Sequence, residues 1–329
     1  MSPYDDTSKE ELIFLFERIA SLRILVIGDL IVDNYVWGTV NRISPEAPVP
    51  VIRTQKKEAR LGGAGNVAAN LASLGSQVTL AGICGDDDYE DIILELCHKK
   101  KIDPVIVEIS GRRSSVKSRI IAQNQQLLRI DEEDCEHISG ADADTVFRQI
   151  REYDASVDGV IISDYNKDLL TPDLTADILG HFDNIPVIVD PKSNDFSKYR
   201  GATTLKPNRK EFGNAIRHPD LNDEEIDQYA RQLVDELKLQ GLVITLGERG
   251  VFILDNHRNS LTVPTKAREV FDVSGAGDTF IATFLSGLIL TDDWFLAAKA
   301  ANLASGVVVG KIGTATVTID EIIENYNLR

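Results

Sequence analysis

The residues with the clearest potential for chemistry lie near the C-terminus, where a Gly-Ala-Gly turn at residues 275–277 leads directly into Asp278 and an apolar stretch at residues 280–290. Small residues let the backbone approach a ligand, and the first turn of a helix has N–H groups without intrahelical partners. With the positive end of the helix dipole, those groups favour an anion such as a phosphate. Asp278 would repel that anion, so we interpret it as the proton acceptor that phosphoryl transfer to an alcohol needs. The alternative is an acidic residue that only favours the helix dipole.

A second glycine cluster, at residues 62–65, opens another predicted helix in which Asn66 and Asn70 lie one turn apart. An Asn side chain carries both a donor and an acceptor, which suits a sugar hydroxyl. The segment that starts at Gly63 also fits the G-x-G-x-x-A fingerprint of dinucleotide-binding folds. That fingerprint follows a strand directly, whereas residues 56–60 are polar, and it leaves the C-terminal Gly-Ala-Gly-Asp pattern unexplained. We therefore favour sugar recognition over a dehydrogenase.

Further carboxylates follow predicted buried strands. Asp29 and Asp33 come after the first strand, and Asp164 and Asp190 come after two others. Open α/β sheets bind ligands at the carboxyl ends of their strands. Carboxylates gathered there suit recognition of a polyol or a metal ion, although an Asp that only caps a loop is the alternative for each of them.

The elements that must position these residues alternate between strand and helix. Buried strands are predicted at residues 22–28, 78–83, 157–163, 187–190, 203–205 and 242–246. Helices are predicted at residues 8–22, 65–74, 88–99, 141–152, 171–182 and 223–239, with two more at 275–290 and 293–309. This alternation is typical of βαβ units and predicts an α/β fold with a mostly parallel sheet.

Two segments, at residues 31–53 and 115–131, interrupt the alternation and predict a small separate β-sheet. The second alternates polar and apolar residues like a hairpin with one apolar face, which includes Val116, Ile120 and Ala122. We expect this sheet to act as a lid over a cleft and to pair two subunits, because pairing would hide that face. No repeat or linker divides the chain, so residues 1–329 are predicted to form a single domain with this lid.

The composition narrows the possible partners. The formal net charge is −17 over 329 residues, which argues against nucleic acid or an anionic membrane as a partner. The three cysteines lack metal-ligand spacing and do not suggest a disulfide framework. The N-terminus lacks a signal-peptide pattern, and no apolar run approaches the ~20 residues that a membrane span needs. We predict a soluble, cytoplasmic protein that gathers basic residues locally to bind phosphates.

The two glycine clusters resemble the signatures of the ribokinase-like (PfkB-type) carbohydrate kinases, and so do Lys206-Pro207-Asn208-x-x-Glu211 and residues 245–250. Their order and spacing agree over nearly the whole chain. Residues 41–50, 124–131, 163–167 and 190–192 resemble the D-glycero-D-manno-heptose-7-phosphate kinases in particular. In many bacteria such a kinase is fused to an adenylyltransferase, so we expect the stand-alone form or the kinase domain of the fused one. Ser274 replaces the Thr of many relatives but keeps the hydroxyl.

The resemblance implies a ribokinase-like three-layer sandwich with a mostly parallel central sheet and a small β-sheet lid. It implies that ATP phosphorylates the anomeric hydroxyl of heptose 7-phosphate, giving the 1,7-bisphosphate used for lipopolysaccharide. Asp278 would accept the proton of that hydroxyl, and the N–H groups of Gly275, Ala276 and Gly277 would hold the transferring charge. Since a helix N-terminus lowers the pKa of a carboxylate, we expect orientation to matter more than basicity. Another sugar or nucleoside kinase, or a non-catalytic nucleotide-binding protein, stays open.

The resemblance also assigns binding residues. The nucleotide would be lined by Asn208, Glu211, Thr245, Gly247, Gly250 and Asn302, with Mg²⁺ organised through water by Asn208 and Glu211. A monovalent cation such as K⁺ would bind at Asp272 and residues 310–316. The sugar would be held by Asp33, Gly62, Gly63, Asn66, Asp164, Lys167 and Asp190. Because the chain is strongly acidic, we predict a dedicated basic cluster for the sugar phosphate, with Arg42, Arg129 and Lys192 as candidates. The expected assembly is a homodimer.

Overall fold

The computed structural model describes residues 8–123, 125–134, 136–152, 157–265, 272–311 and 313–327. The strands, in chain order, are β1 (Arg23–Gly28), β2 (Leu30–Ile43), β3 (Pro50–Gly63), β4 (Gln77–Gly85), β5 (Ile102–Ile109), β6 (Ser115–Ala122), β7 (Gln125–Glu132), β8 (Gly159–Asp164), β9 (Val187–Pro191), β10 (Thr204–Leu205), β11 (Leu242–Thr245), β12 (Val251–Leu254) and β13 (Ser260–Val263). The helices are α1 (Lys9–Arg18), α2 (Ala64–Ser73), α3 (Tyr89–Lys100), α4 (Gly140–Arg151), α5 (Pro172–His181), α6 (Arg209–Ala215), α7 (Asp223–Leu237), α8 (Ala276–Thr291), α9 (Trp294–Val308) and α10 (Ile319–Asn327).

A six-stranded sheet in the order β10-β9-β8-β1-β4-β5 forms the middle layer, and its strand pairs are parallel. Along β1, Ile24 and Val26 pack in the layer that contains α2, α8 and α9. Leu25 and Ile27 pack on the opposite face, in the layer that contains α4, α5 and α7. Because successive side chains of a strand point to opposite faces, a continuous aliphatic run is what a strand covered on both sides requires. The predicted α/β class with a parallel sheet is confirmed.

The predicted elements are largely confirmed, with two differences in the sheet. The strand at residues 242–246 was expected in the parallel sheet, but β11 pairs antiparallel with β12 in a separate three-stranded sheet, β11-β12-β13. The edge strand β5 was not predicted, because Asp103 and Glu108 interrupt its apolar residues. Helix ends agree within two residues, except that α1 ends at Arg18 and continues as a 3-10 turn to Ser21.

The predicted small sheet is present, in the order β3-β2-β6-β7. Its central strand β2 pairs antiparallel with β3 and parallel with β6, and β6 pairs antiparallel with β7. Strands β2 and β3 have 14 residues each, and β3 runs to Gly63, beyond the predicted segment 31–53, because charged residues along β3 hide its strand pattern. Asn124, between β6 and β7, lies outside the described residues.

Strand β3 ends at Gly63 and α2 begins at Ala64, so a strand does precede the second glycine cluster, contrary to our expectation. That strand belongs to the small sheet rather than to the parallel sheet, so the arrangement differs from a dinucleotide-binding βαβ unit. Gly63 has a φ of 56°, and a Cβ there would lie 2.4 Å from the Asp29 carbonyl oxygen. The glycine therefore serves the sharp turn from strand to helix.

The apolar face of the small sheet differs from the predicted one. Val116 and Ala122 are buried within the chain. The large apolar side chains that the sheet and its β2–β3 loop expose are Ile43, Val49, Leu127, Leu128 and Ile130. Among the residues that the structure describes, none of the helices has the length and apolar character needed to cross a membrane.

Candidate active site

The Gly-Ala-Gly turn stands at the start of α8, with Gly275 as its N-cap in the left-handed region at φ 81°. A Cβ on Gly275 would lie 2.9 Å from Asn66 Nδ2, and one on Gly277 would lie 3.3 Å from Lys206 Nζ. Small residues are required here because an amide of α2 and a buried ammonium group approach the turn closely. Asp278 follows in the first turn of α8 and is only 4% exposed.

Two side chains hold the Asp278 carboxylate. Asn66 Nδ2 donates to Oδ2 at 2.6 Å, and the Tyr165 hydroxyl donates to Oδ1 at 3.0 Å. Burial, followed by the negative charge of Asp190, raises the pKa of Asp278 to about 6, although Asn66 and the nearby lysines oppose this shift. The expectation that the helix N-terminus leaves this carboxylate with a low pKa is therefore wrong, because burial outweighs it. Asp278 is ionised at neutral pH and is basic enough to accept a proton.

Two lysines surround Asp190 beside the turn. Lys192 Nζ lies 3.0 Å and Lys206 Nζ 3.1 Å from Asp190 Oδ1, and Lys192 Nζ also lies 3.2 Å from Glu211 Oε1. Burial alone would raise the pKa of Asp190, but the two ammonium groups outweigh it and hold the pKa below its usual range. Lys206 is 3% exposed. A pair of fixed cations next to a helix N-terminus is suited to bind a phosphoryl group.

A cavity of about 760 Å³ opens in front of this cluster, within the size range of small-molecule sites. The predicted residues that line it are Asp190, Lys192, Asn208, Glu211, Thr245, Gly247, Gly250, Gly275, Ala276, Gly277, Asp278 and Asn302. The structure thus brings together the turn, the base and every residue predicted to line the nucleotide.

Asn208 and Glu211 face this cavity and hold each other through a capping box at the start of α6. Glu211 Oε2 accepts the Asn208 N–H at 2.7 Å, and Asn208 Oδ1 accepts the Glu211 N–H at 2.8 Å. Within the described ranges there is no cluster of three or more His, Cys, Asp or Glu side chains that could hold a metal ion. Oxygen donors without a full protein cage fit Mg²⁺, which usually keeps several waters and substrate phosphates as ligands.

Asp164 and Lys167 lie outside the cavity of Asp278. Asp164 Oδ2 accepts the Tyr199 hydroxyl at 2.7 Å and lies 2.5 Å from Lys198 Nζ, in a separate cavity of about 580 Å³. The Lys167 ammonium group lies 2.7 Å from a carboxylate oxygen of Glu133. Their predicted contact with the sugar is therefore not reproduced by their present orientation.

Asp33 lies in β2 and is buried, with Arg119 Nη1 2.5 Å from its Oδ1. A Cβ on Gly62 would lie 2.7 Å from Asp33 Oδ2, so Gly62 leaves room for this carboxylate. Gly62 thus makes space for the Asp33 carboxylate, and neither residue lines the cavity of Asp278.

The three predicted sugar-phosphate cations do not form one cluster. Lys192 lines the cavity of Asp278, whereas Arg42 and Arg129 are exposed on strands β2 and β7. Arg129 donates to both carboxylate oxygens of Asp131, at 2.8 and 3.0 Å. These three residues therefore do not form the predicted basic cluster.

Asp272, the predicted cation ligand, joins two backbone segments. Its Oδ1 accepts the Ser274 N–H and its Oδ2 accepts the Gly313 N–H, both at 2.9 Å. Asp272 thus ties the approach to the Gly-Ala-Gly turn to residues 310–316, of which Ile312 lies outside the described residues.

Four functional candidates were given no role in the sequence-based assignment: Tyr165, Lys206, Arg119 and, on β3, Arg60. Tyr165 follows β8 directly and Lys206 follows β10 directly, so their places at strand ends were the available signal. Arg119 lies within β6. The alternation of residues along this strand predicts the face of the sheet on which Arg119 lies, but not the residues that surround it. Lys206 belongs to the quoted kinase motif, and Tyr165 lies between two residues that were predicted to bind sugar.

Comparison with known proteins agrees with this geometry. Residues 21–321 match the pfkB family carbohydrate kinase profile, so the chain belongs to that family. Its class is that of an ATP-dependent sugar kinase. The chain is 43% identical over 317 residues to the bifunctional protein HldE of Trichlorobacter lovleyi, and this match covers 95% of the chain but only 65% of that protein.

Solved structures share the fold. Phosphofructokinase-2 from Escherichia coli in complex with potassium gives a TM-score of 0.77 at 18% identity and covers 93% of this chain and 99% of its own. Arabidopsis thaliana ribokinase complexed with ribose and ATP gives a TM-score of 0.71 at 18% identity and covers 92% and 98%. The predicted ribokinase-like sandwich is thereby confirmed.

Proposed function

We propose that this protein transfers the γ-phosphoryl group of ATP to the anomeric hydroxyl of D-glycero-D-manno-heptose 7-phosphate, giving the 1,7-bisphosphate, a precursor of lipopolysaccharide heptose. The choice of acceptor is supported by the likeness to the bifunctional protein HldE and by the resemblance of residues 41–50 and 124–131 to heptose-7-phosphate kinases. The observation that carries the reaction is the buried Asp278 carboxylate beside the Gly-Ala-Gly turn, facing two fixed ammonium groups.

In this reaction the acceptor hydroxyl lies beside Asp278 and gives its proton to that carboxylate while its oxygen attacks the γ-phosphorus, and the bond from that phosphorus to the β-phosphate oxygen breaks to release ADP. Lys192, Lys206 and the N–H groups at the start of α8 hold the negative charge of the transferring group. Because these groups are fixed before substrate binds, they need no reorganisation during the reaction.

The ATP phosphates and their metal ions would lie between the turn and α6. Asn208 and Glu211 would hold Mg²⁺ through water, and Mg²⁺ supplies charge neutralisation on the phosphates. Asp272 and residues 310–316 would border a monovalent cation such as K⁺. Of these, Asn208 and Glu211 line the cavity.

The remote phosphate of the acceptor has a candidate docking face on the small sheet. Arg60 and Arg119 reach the Tyr35 ring from neighbouring strands, with their guanidinium carbons 4.9 and 5.4 Å from its centroid. Arg60 Nη1 donates to the Thr314 carbonyl at 3.2 Å, and the Thr314 Cα lies 3.7 Å from where a Cβ on Gly275 would be. This face of the sheet is therefore turned toward the catalytic turn.

We infer that Arg60 and Arg119, rather than Arg42 and Arg129, are the main contacts of that phosphate. Arg119 is already held by Asp33, the carboxylate predicted to bind the sugar. Their ion pair would therefore link the residue that binds a sugar hydroxyl to the residue that binds the phosphate. Planar guanidinium groups bind phosphate through paired hydrogen bonds.

A homodimer through the small sheet completes the proposal. Leu127, Leu128 and Ile130 are 42, 55 and 45% exposed on β7, and Ile43 is 60% exposed on β2. An edge strand with exposed apolar side chains favours pairing with another chain, and a two-fold axis would hide both surfaces at once.

A screen of acceptors tests the proposed function. ADP release is measured with heptose 7-phosphate, the unphosphorylated heptose, hexoses, hexose phosphates and nucleosides. We expect kcat/KM for heptose 7-phosphate to exceed that of every other acceptor by at least about a hundredfold. A higher value for a hexose phosphate or a nucleoside would assign the chain to another kinase on the same fold.

A further inference from the structure

Tyr165 is the second hydrogen-bond donor to Asp278, and the mechanism above gives it no role. Its hydroxyl donates to Asp278 Oδ1 at 3.0 Å. Its ring lines the cavity, and Lys192 Nζ lies 5.5 Å from the ring centroid. Burial, followed by the charge of Asp278, raises the pKa of the Tyr165 hydroxyl well above its usual range. The hydroxyl therefore keeps its proton and donates a hydrogen bond to the carboxylate.

The buried residue Asp29 connects the two segments that hold Asp278. Its Oδ2 accepts the N–H of Tyr165 at 2.8 Å and the N–H two residues later at 3.0 Å. Its carbonyl oxygen accepts the N–H of Ala64 at 3.0 Å, at the start of the helix that carries Asn66. Both donors to Asp278 thus lie on backbone segments that are attached to one residue after β1.

We propose that Tyr165 is a positioning residue for the catalytic base, and that Asp29 positions Tyr165. The inference rests on the proposed function only in taking Asp278 as the base. With Asn66 on one carboxylate oxygen and Tyr165 on the other, the carboxylate plane is fixed before the acceptor arrives. A fixed plane keeps a lone pair directed at the acceptor hydroxyl, which is the orientation that proton transfer requires.

Burial contributes most to the raised pKa of Asp278, and the Tyr165 hydrogen bond acts against it. Besides Tyr165, the titratable groups that face Asp278 are Asp190 and Lys192 from the end of β9 and Lys206 from the segment after β10. These groups remain when the hydroxyl is removed. Since a donor to a carboxylate stabilises its charged form, loss of the hydroxyl raises the pKa of Asp278.

Tyr165→Phe tests the role of the hydroxyl while keeping the ring under Lys192. We expect kcat to fall about tenfold, the order of effect of one hydrogen bond to a charged group, with KM for ATP changed less than about twofold. The acid limb of the kcat profile should move to higher pH by at least about half a unit. A kcat within twofold of wild type with an unmoved acid limb would overturn the proposal.

Tyr199→Phe is the matched control. The Tyr199 hydroxyl also donates to a buried aspartate, Asp164, at 2.7 Å, but in the separate cavity. This variant should lower the melting temperature without moving the acid limb. An equal shift of the acid limb in both variants would mean that loss of a buried hydroxyl, rather than contact with Asp278, causes the effect.

Asp29 is tested by a double-mutant cycle with Asp29→Ala in the wild-type and Tyr165→Phe backgrounds. If Asp29 acts through Tyr165, the Ala substitution lowers kcat in wild type but less than about twofold further in Tyr165→Phe, whereas additive losses would overturn the anchoring role. Asp29→Asn keeps an oxygen that can accept the same two N–H groups but loses an acceptor for the Leu169 N–H, so it should restore part of the activity. Amide hydrogen exchange of wild type gives an answer even if the Ala variant does not fold: rapid exchange at the Tyr165 N–H would overturn the anchor.

A titration without substrate separates this inference from the proposed function. Carboxyl ¹³C NMR, assigned with Asp278→Asn, follows the protonation of Asp278 in wild type and in Tyr165→Phe. A higher midpoint in Tyr165→Phe supports the positioning role even if no heptose is phosphorylated. An unchanged midpoint would contradict it even if the heptose kinase activity is confirmed.

Discussion

The catalytic cavity and the small sheet, which we propose to be two sides of one site, are built in different ways. In the cavity, Asp278 and Lys206 are almost fully buried, and each has its polar partners within the chain. In the small sheet, β7 is exposed along its whole length and presents apolar side chains outward. The catalytic side is thus organised before ligands bind, whereas the small sheet has surface left for a ligand or a second subunit to cover.

The largest effect is expected from Asp278→Asn on the catalytic side. The amide keeps the size of the side chain but cannot accept the proton, so kcat should fall at least about a hundredfold. The melting temperature and the affinity for ATP should stay close to wild type. If the variant kept more than about a tenth of the wild-type kcat, the assignment of the base would be wrong, since that loss is below 1.4 kcal/mol of barrier.

The pH dependence of wild type tests the same residue together with Asp29, since burial raises the pKa of Asp29 to about 7. Because the pKa of Asp278 is raised to about 6, the inactive protonated form predominates below that pH. We expect kcat to fall about tenfold between pH 7 and pH 5 as the ionised fraction decreases. A rate that stays level over this range, with the fold intact by circular dichroism, would contradict the raised pKa.

Lys206→Gln removes a fixed cation next to the catalytic turn. We expect kcat to fall about tenfold or more, because the ammonium group would stabilise the charge of the transferring phosphoryl group. Lys198→Gln is the control, since Lys198 also pairs with a buried aspartate, Asp164, but in the separate cavity. Equal losses of kcat in the two variants would indicate a general effect of unpairing a buried carboxylate.

On the small sheet, Arg119→Gln and Arg42→Gln distinguish the candidate derived from the structure from the one derived from the sequence. For Arg119→Gln we expect KM for the sugar phosphate to rise about tenfold, with KM for ATP unchanged. Arg42→Gln should change KM for either substrate less than about twofold, because Arg42 is exposed near the end of β2. The opposite result would return the phosphate contact to Arg42.

The smallest effect on activity is expected from Leu128→Glu on β7. Leu128 is 55% exposed, and a charge there should dissociate a dimer formed through the small sheet while kcat changes only a few-fold. Sedimentation velocity at micromolar concentration measures the change. A wild-type monomer that stays monomeric when sugar and nucleotide are added would exclude this pairing.

The two regions also differ in how far the sequence predicts them. On the catalytic side, the Gly-Ala-Gly turn and the buried strands were predicted because a strand covered on both faces and a helix start each have a distinct local pattern. The direction of Asp164 was not, since the end of β8 places Asp164 and the next residue, Tyr165, in different cavities. Asp164 is held by Tyr199 and Lys198, and the Tyr165 N–H is held by Asp29, and both are contacts between distant parts of the chain.

On the small sheet, the strands could be predicted, but the side chains that contact each other across neighbouring strands could not. The alternation of polar and apolar residues along β6 predicts the face of the sheet on which Arg119 lies. Its contacts with Asp33 and Tyr35, however, depend on the register between β2 and β6. That register is set by pairing between segments about 80 residues apart, which no local pattern records. Sequence patterns therefore selected Arg42 and Arg129, which the structure places on the exposed surface.

The most direct test of the account is to determine which oxygen atom receives the phosphoryl group. Heptose 7-phosphate is incubated with the protein, ATP and Mg²⁺, and the product is followed by ³¹P NMR with coupling to the sugar protons. We predict one equivalent of ADP and a new phosphorus signal coupled to the anomeric proton, both absent with Asp278→Asn. A phosphorus signal coupled to any other sugar proton, or ADP release without a phosphorylated sugar, would contradict the account.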